Sequence, residues 1–373
     1  MNVSQAAAGT RAEGAVAASD TRLPVIVVSG FLGSGKTTLL KRVLETPELA
    51  GSMLIVNEFG EIGIDHHLLE RSDEETVLLD NGCMCCQLRS DLQTLLVDLS
   101  MRRRRGEIPS FERVIIETSG LADPGPIAQT LYGDAPLARQ YRLAHVVTLV
   151  DAAHPEARGA AAQTAERQAA AADLILLTKT DRATPAQRDA ALEWVQAVNA
   201  HARRATPVLG DLDISLLTAP SPFARLGEFG QFDGADGVAD AGVGGVDGPD
   251  ATDARSDSAA GSYLGKLATL HPPAVASFVM TFADPLPRPL FQLFLDTLTS
   301  LRGPDLLRTK GILRFEGEPT PVLIQGVCHV FDKPVPLAPG ATAPAQSALV
   351  FIARDLPRAD VEALWASLAR LAR

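Results

Sequence analysis

Val25-Ile26-Val27-Val28-Ser29-Gly30-Phe31-Leu32-Gly33-Ser34-Gly35-Lys36-Thr37-Thr38-Leu39-Leu40 is the stretch that decides the fold. Four β-branched residues form a short buried strand, and Thr37 to Leu44 is compatible with a helix. Between them, Gly30 to Thr37 fits G-x-x-x-x-G-K-[ST]. In that pattern glycines let backbone N–H groups turn inward around phosphate oxygens, and the helix N-terminus adds a favourable dipole. Lys36 would reach the β- and γ-phosphates, and the Thr37 hydroxyl would ligate Mg²⁺. Gly30, Gly33, Ser34, Gly35, Lys36, Thr37 and Thr38 are therefore candidate nucleotide-binding residues. A functionless Gly-rich turn is the alternative, and the flanking strand and helix argue against it.

Outward from this loop the same unit recurs. Apolar runs at Met53–Val56, Val114–Ile116, His145–Val150 and Leu174–Leu177 alternate with helical stretches at Leu88–Met101, Ala160–Ala172 and Ala186–Ala202. A closing strand is expected near Pro207–Leu209. Continuous apolar strands alternating with helices predict an α/β domain, a P-loop NTPase parallel sheet with helices on both faces. Residues 223–262 lose this periodicity and are rich in Gly, Asp, Ala and Ser. Periodicity returns with strands at Ala274–Phe282, Leu306–Phe315, Val322–Val330 and Ala348–Ala353, and helices at Pro289–Leu301 and Arg358–Leu371. That order predicts a small C-terminal α+β domain with helices on one face of its sheet. The expected organisation is a loose tail (1–22), a nucleotide domain (23–222), a flexible Gly/Asp-rich linker (223–262) and the α+β domain (263–373).

Two further strand ends carry chemistry. Thr178-Lys179-Thr180-Asp181 follows the run 174–177, where open α/β sheets bind ligands. The Asp181 carboxylate can accept from N1–H and the exocyclic amine of guanine, donors that adenine lacks there, while Lys179 can lay its stem along the ring. Thr178, Lys179 and Asp181 are thus candidate guanine-binding residues, which makes GTP the expected nucleotide. Ile116-Glu117-Thr118-Ser119-Gly120 ends another strand. Glu117 can act on Mg²⁺ through water or orient the attacking water, and the Gly120 N–H can sense the γ-phosphate. Lys36, Glu117 and Gly120 are the candidate catalytic residues.

Cys83-Met84-Cys85-Cys86 places three thiols within four residues, ahead of a helix. They can converge on one soft or borderline cation such as Zn²⁺, Cu⁺ or Co²⁺. Three ligands leave the set open, with Glu58, Glu61, His66, His67, water or a partner protein to complete it. An open set suits a transferable ion better than a structural one. A redox thiol cluster and buried inert cysteines are the alternatives.

Composition limits the function classes. Lys and Arg number 34 against 45 Asp and Glu, a net charge of −11. Between Gly227 and Ser258 eight acidic residues face Arg255 alone, so a net −7 falls in that segment, and the linker contains no histidine. The balance argues against broad attraction to nucleic acid or anionic membrane. Four cysteines, three of them clustered at 83–86 and Cys328 alone, do not make a disulfide framework, and no apolar run is long enough for a membrane span. The first 22 residues lack a signal-peptide pattern, so a cytoplasmic protein is expected. Arg102–Arg105 reads as a solvated helix end. Cys328 and His329 read as neighbours on an alternating strand, one buried and one half-exposed.

Taken in order, these motifs resemble the CobW-type GTPases, a family of metal chaperones and metal-insertion factors. The resemblance is carried by GFLGSGKTTLL (30–40), NEFGEIGIDHHLL (57–69), NGCMCC (81–86), IETSGLADP (116–124), VTLVDA (147–152), TKTD (178–181), LLRTKGILRFEG (306–317) and LIQGVCHVF (323–331). It implies a zinc or cobalt site at Cys83, Cys85 and Cys86, with Glu58 among the candidates for a further ligand. Residues Asn57 to Asp65 would be the first switch, and Asp65 would help hold Mg²⁺. It also implies slow GTP hydrolysis tied to delivery of the ion to an apo-metalloprotein client or metal-inserting enzyme. Self-association is a further option. A regulatory switch that senses metal without transferring it, and a thiol redox protein, are the other readings.

Overall fold

The structure is a computed structural model that describes residues 20–56, 76–78, 85–154, 160–207, 211–218, 275–337 and 346–371. Its first half is a seven-stranded parallel sheet. The strands are β1 (Leu23–Gly30), β2 (Ser52–Val56), β3 (Thr76–Leu78), β4 (Arg113–Glu117), β5 (Tyr141–Asp151), β6 (Leu174–Thr178) and β7 (Arg203–Ala205), in the order β3-β2-β4-β1-β5-β6-β7. Helices α1 (Lys36–Val43), α2 (Cys85–Arg105), α3 (Gly125–Gly133), α4 (Ala135–Gln140), α5 (Ala160–Ala171), α6 (Pro185–Val198) and the short α7 (Ser215–Thr218) cover it.

Alternation along β1 shows why both faces are covered. Val25 and Val27 pack with Leu92, Leu96 and Leu99 of α2 and Ile127 and Leu131 of α3. Ile26 and Val28 point the other way, against Leu39, Leu40 and Val43 of α1 and Leu217 of α7. Each strand residue is buried on one face or the other, as a sheet sandwiched between helices requires. α6 begins with a reciprocal cap, Thr184 with Gln187, which satisfies two backbone donors at its start.

The second half is antiparallel. Strands β8 (Val275–Phe282), β9 (Leu306–Leu313), β10 (Val322–Val327), β11 (Val330–Phe331), β12 (Val335–Pro336) and β13 (Ser347–Arg354) form one sheet in the order β11-β10-β9-β13-β8, with β12 also on β10. Helices α8 (Arg288–Arg302) and α9 (Arg358–Leu371) lie on one face, where Phe294, Leu349, Phe351 and Trp365 build the core. On the opposite face, Leu307 and Ile352 pack against Ala169, Ala170, Ile175 and Val195 of the parallel-sheet domain.

Polar groups close that contact. The Asp173 carboxylate accepts from Arg308 Nη2 at 2.7 Å, from Lys310 Nζ at 2.9 Å and from the Val146 N–H at 2.9 Å. All three charged side chains are buried. At the other edge Arg22 bridges to Asp332 at 2.8 Å, and Gln325 Nε2 donates to the Leu143 carbonyl at 3.3 Å.

Three expectations change. Among the described residues the strand that closes the sheet is Arg203–Ala205, while Val208 and Leu209 of the expected strand lie outside the described residues; an edge strand needs no continuous apolar run, so polarity concealed it. Cys328 and His329 do not lie on a strand. They form the two-residue turn between β10 and β11, with Cys328 at φ +54°, a conformation uncommon outside glycine. The arginine run is partly engaged, since Arg103 Nε donates to the Phe111 carbonyl at 3.1 Å and its guanidinium lies over that ring. Among the described residues, no helix is long and apolar enough to cross a membrane.

Candidate functional site

The loop between β1 and α1 owes its shape to backbone that L side chains disfavour. Gly30 has φ +141°, and a Cβ there would lie 2.5 Å from the Leu149 carbonyl oxygen. Only glycine lets β1 turn so close to β5. Gly33 and Gly35 also have positive φ, and Gly35 stands as the residue before α1. The start of α1 therefore opens into the loop with its free N–H groups. Lys36 is buried, and its Nζ donates to the Gly30 and Phe31 carbonyls at 2.8 and 3.2 Å. The Ser34 hydroxyl is buried without a hydrogen-bond partner among the described residues.

Below the loop, Thr37 Oγ1 donates to Glu117 Oε1 at 2.6 Å. A hydroxyl and a buried carboxylate in contact are oxygen donors of the kind a hard divalent cation takes, so these residues fit Mg²⁺. Gly120 approaches the loop from β4, where a Cβ would lie 2.6 Å from the Leu32 nitrogen. On the base side, Thr178 Oγ1 donates to the Ser34 carbonyl at 2.8 Å. Lys179, at φ +54°, donates from Nζ to Asp151 Oδ2 at 2.7 Å. Asp181 stands apart, 42% exposed, with Arg182 at 3.9 Å as its neighbour. Thr38 is exposed on the first turn of α1.

The fold thus brings together Gly30, Gly33, Ser34, Gly35, Lys36, Thr37, Glu117, Gly120, Thr178 and Lys179. Glu58, Asp65 and Cys83, together with Glu61, His66 and His67, lie outside the described residues. So do the side chains of Cys85 and Cys86, whose backbone forms the first turn of α2. The register still locates the ends of the strands that flank them. Val28, Glu117, Val56 and Leu78 form one row across β1, β4, β2 and β3, at the carboxyl edge of the sheet.

Two residues at the site went unassigned in the sequence. Asp151 ends β5 and accepts from the Ala153 N–H at 2.9 Å as well as from Lys179. Burial raises its carboxyl, but the bonds from Lys179 and the Ala153 amide outweigh this and hold it below the ordinary value. An acid at the end of a buried strand was the available signal, the same one that picked out Glu117. The other is Gln168 of α5, fully buried, whose Nε2 donates to the Gly120 and Ala122 carbonyls at 3.2 and 2.9 Å. Nothing in the alanine-rich α5 marked it.

Comparison with known proteins matches both halves. Residues 24–206 fit the CobW/HypB/UreG nucleotide-binding domain, and residues 275–369 fit the cobalamin synthesis protein CobW C-terminal domain. The chain is 31% identical over 346 residues to the zinc chaperone YjiA of Escherichia coli K12, covering 93% of this chain and 98% of that one. It is 31% identical over 198 residues to the zinc-regulated GTPase metalloprotein activator 1 of Schizosaccharomyces pombe, covering 51% of this chain and 47% of that one. The crystal structure of the Zn(II)-bound YjiA GTPase from E. coli superposes with a TM-score of 0.60 at 29% identity, over 93% of this chain and 99% of that one. Agreement over both domains and nearly the whole length leaves one assignment: the chain belongs to the CobW/HypB/UreG family and carries the CobW C-terminal domain.

Proposed function

We propose that this chain is a metallochaperone GTPase that captures zinc at Cys83, Cys85 and Cys86 and hands it to a client protein when GTP is hydrolysed. The chain is a GTPase, on the strength of its family and its likeness to the YjiA GTPase along nearly the full length. Zinc as cargo is supported by that relative, a zinc chaperone with a Zn(II)-bound structure. Cobalt is a second ion the same thiols would accept.

The observation that carries the reading is the row Val28–Glu117–Val56–Leu78. β2 ends beside Glu117 and β3 ends beside β2, so the segments leaving them, which bear Glu58, Asp65 and Cys83, start at the same carboxyl edge of the sheet as the Thr37–Glu117 pair. Thiols at the first turn of α2 would be favoured as thiolates by the helix N-terminus.

In this reading the loop amides and Lys36 hold the β- and γ-phosphates, with the ammonium leaving the Gly30 and Phe31 carbonyls to do so. Bound Mg²⁺ would be held by Thr37 and Asp65, with Glu117 behind them, and would neutralise phosphate charge. Glu117 also orients the attacking water, and the Gly120 N–H faces the γ-phosphate. Asp181 selects guanine by accepting two N–H groups, and Lys179, fixed by Asp151, covers the ring. Because both ligands act on one equilibrium, GTP must raise zinc affinity by the factor by which zinc raises GTP affinity.

The test is a Zn²⁺ and Co²⁺ titration of the full chain with a non-hydrolysable GTP analogue, with GDP and with no nucleotide. We expect about tenfold or greater tightening of one ion in the GTP-like state, as coupling of this kind gives. That tightening should vanish when Cys83, Cys85 and Cys86 are replaced by serine. Equal affinity in all three states would refute the reading.

A further inference from the structure

Gln168 connects two parts of the nucleotide site that the motifs treat separately. Its Nε2 faces two carbonyl oxygens, those of Gly120 and Ala122. Two acceptors leave no ambiguity about which end of the amide points there, since an oxygen in that place would be repelled. On its far side the turn touches the phosphate loop, because Gly120 lies close enough to Leu32 that a Cβ would overlap its backbone nitrogen. The 120–122 turn is therefore held between Leu32 and Gln168.

The support behind Gln168 is rigid. Its main-chain carbonyl accepts from Thr148 Oγ1 of β5 at 2.8 Å. The end of α5 is fixed by Asn199, whose Nδ2 donates to the carbonyls of Ala169, Ala170 and Ala172 at 2.9, 3.2 and 3.0 Å. Next comes Asp173, held by Arg308 and Lys310. A side chain locked this way can set a backbone group to within the tolerance that catalysis demands.

We propose that Gln168 is a positioning residue for GTP hydrolysis, holding the Gly120–Ala122 turn against the phosphate loop so that the Gly120 N–H faces the γ-phosphate. The inference rests on the assignment of Gly120 made above. Gln168 touches no substrate atom; it acts through the turn. GDP has no γ-phosphate, so its binding does not use this geometry.

The experiment replaces Gln168 by Met, similar in length but without the donor, in the full chain. Steady-state GTP hydrolysis with Mg²⁺ and no transition metal gives kcat and KM, labelled GDP gives a dissociation constant, and a thermal melt reports the fold. The expected result is a fall in kcat of about tenfold, the scale of one or two lost hydrogen bonds. KM and GDP affinity should stay at parent values, with a small change in Tm. An unchanged kcat would overturn the proposal, as would a fall in kcat matched by losses in GDP affinity and Tm. Should Q168M not fold, Q168L removes the donor without adding a charge, and the same comparison applies. Gly120→Ala separates the two levels. If G120A abolishes hydrolysis while Q168M behaves as the parent, Gln168 is not the positioning group; if G120A hydrolyses GTP normally, the assignment of Gly120 itself is wrong.

Discussion

Thr178 Oγ1 donates to the Ser34 carbonyl over 2.8 Å, tying the end of β6 to the loop between β1 and α1. One hydroxyl thus joins the two segments that the proposed reading gives to the base and to the phosphates. Replacing Thr178 by Val keeps the shape and removes the bond, a loss on the order of 1 kcal/mol. We expect GTP and GDP affinities to fall together, by about fivefold to tenfold, with kcat nearly unchanged, because the bond serves both nucleotides equally. Titration with labelled GTP analogue and GDP checks this; a selective loss for GTP would contradict it.

Asp151 offers a test of base recognition. Asn in its place removes the counter-charge from Lys179, which sits 2.7 Å away and adopts a backbone conformation uncommon for lysine. On the proposed role of Lys179 over the ring, its stem then loses a fixed direction. GTP should bind more weakly and its preference over ATP should narrow, read from competition of both against labelled GDP. A D151N variant with the parent's GTP-to-ATP ratio would show that Lys179 needs no anchor.

The buried Asp173 predicts a pH signature. Burial alone would raise its carboxyl, but Arg308 and Lys310 hold it well below the ordinary 3.8. A carboxyl depressed in the folded state contributes stability that is present above 3.8 and is lost as pH falls below it. Lys310 is pushed down to about 8 by burial, against which Asp173 pulls it up. Its unfolded form holds the proton more tightly, so its burial costs stability below about pH 8, and that cost is relieved as pH rises from 8 towards 10.5. Asp173→Asn leaves two buried cations without their partner, a destabilisation of about 3–5 kcal/mol. Thermal melts from pH 3 to 7 should show a stability loss below pH 4 in the parent and a smaller one in D173N.

Gly125 and Cys328 test the contact between the domains by size. A Cβ on Gly125 would lie 2.7 Å from the Cys328 sulfur, so Gly125→Ala should cost about 1–3 kcal/mol through overpacking. Cys328→Gly removes the sulfur and suits the left-handed turn, so it should recover most of that loss in the double variant. Denaturant unfolding of the four proteins closes the cycle. Additive losses would show that the two residues do not meet.

These residues also show how far the sequence could be read. The phosphate loop, the parallel sheet and the family were legible because glycine spacing and apolar runs are local signals. The placement of Glu117 at a strand end and Thr37 at a helix start was legible for the same reason. Gln168 was not, since what distinguishes it is two carbonyls more than forty positions away in the chain. Asp173 stood in plain view at the head of β6, but its partners Arg308 and Lys310 lie on a strand of the other sheet. Both cations are buried there. The turn at Cys328 was missed because neither residue is a usual turn former; the turn's tip packs against Gly125.

The Asp173 cluster bears on what joins the halves of the molecule. Leu307, Ile352, Arg308 and Lys310 join the second sheet to the first through contacts among the described residues, separate from the covalent path between Thr218 and Val275. Cutting that path would leave two polypeptides that still recognise each other through a buried ionic lock within an apolar seam. The covalent path then adds to these contacts by raising the effective concentration of one half at the other.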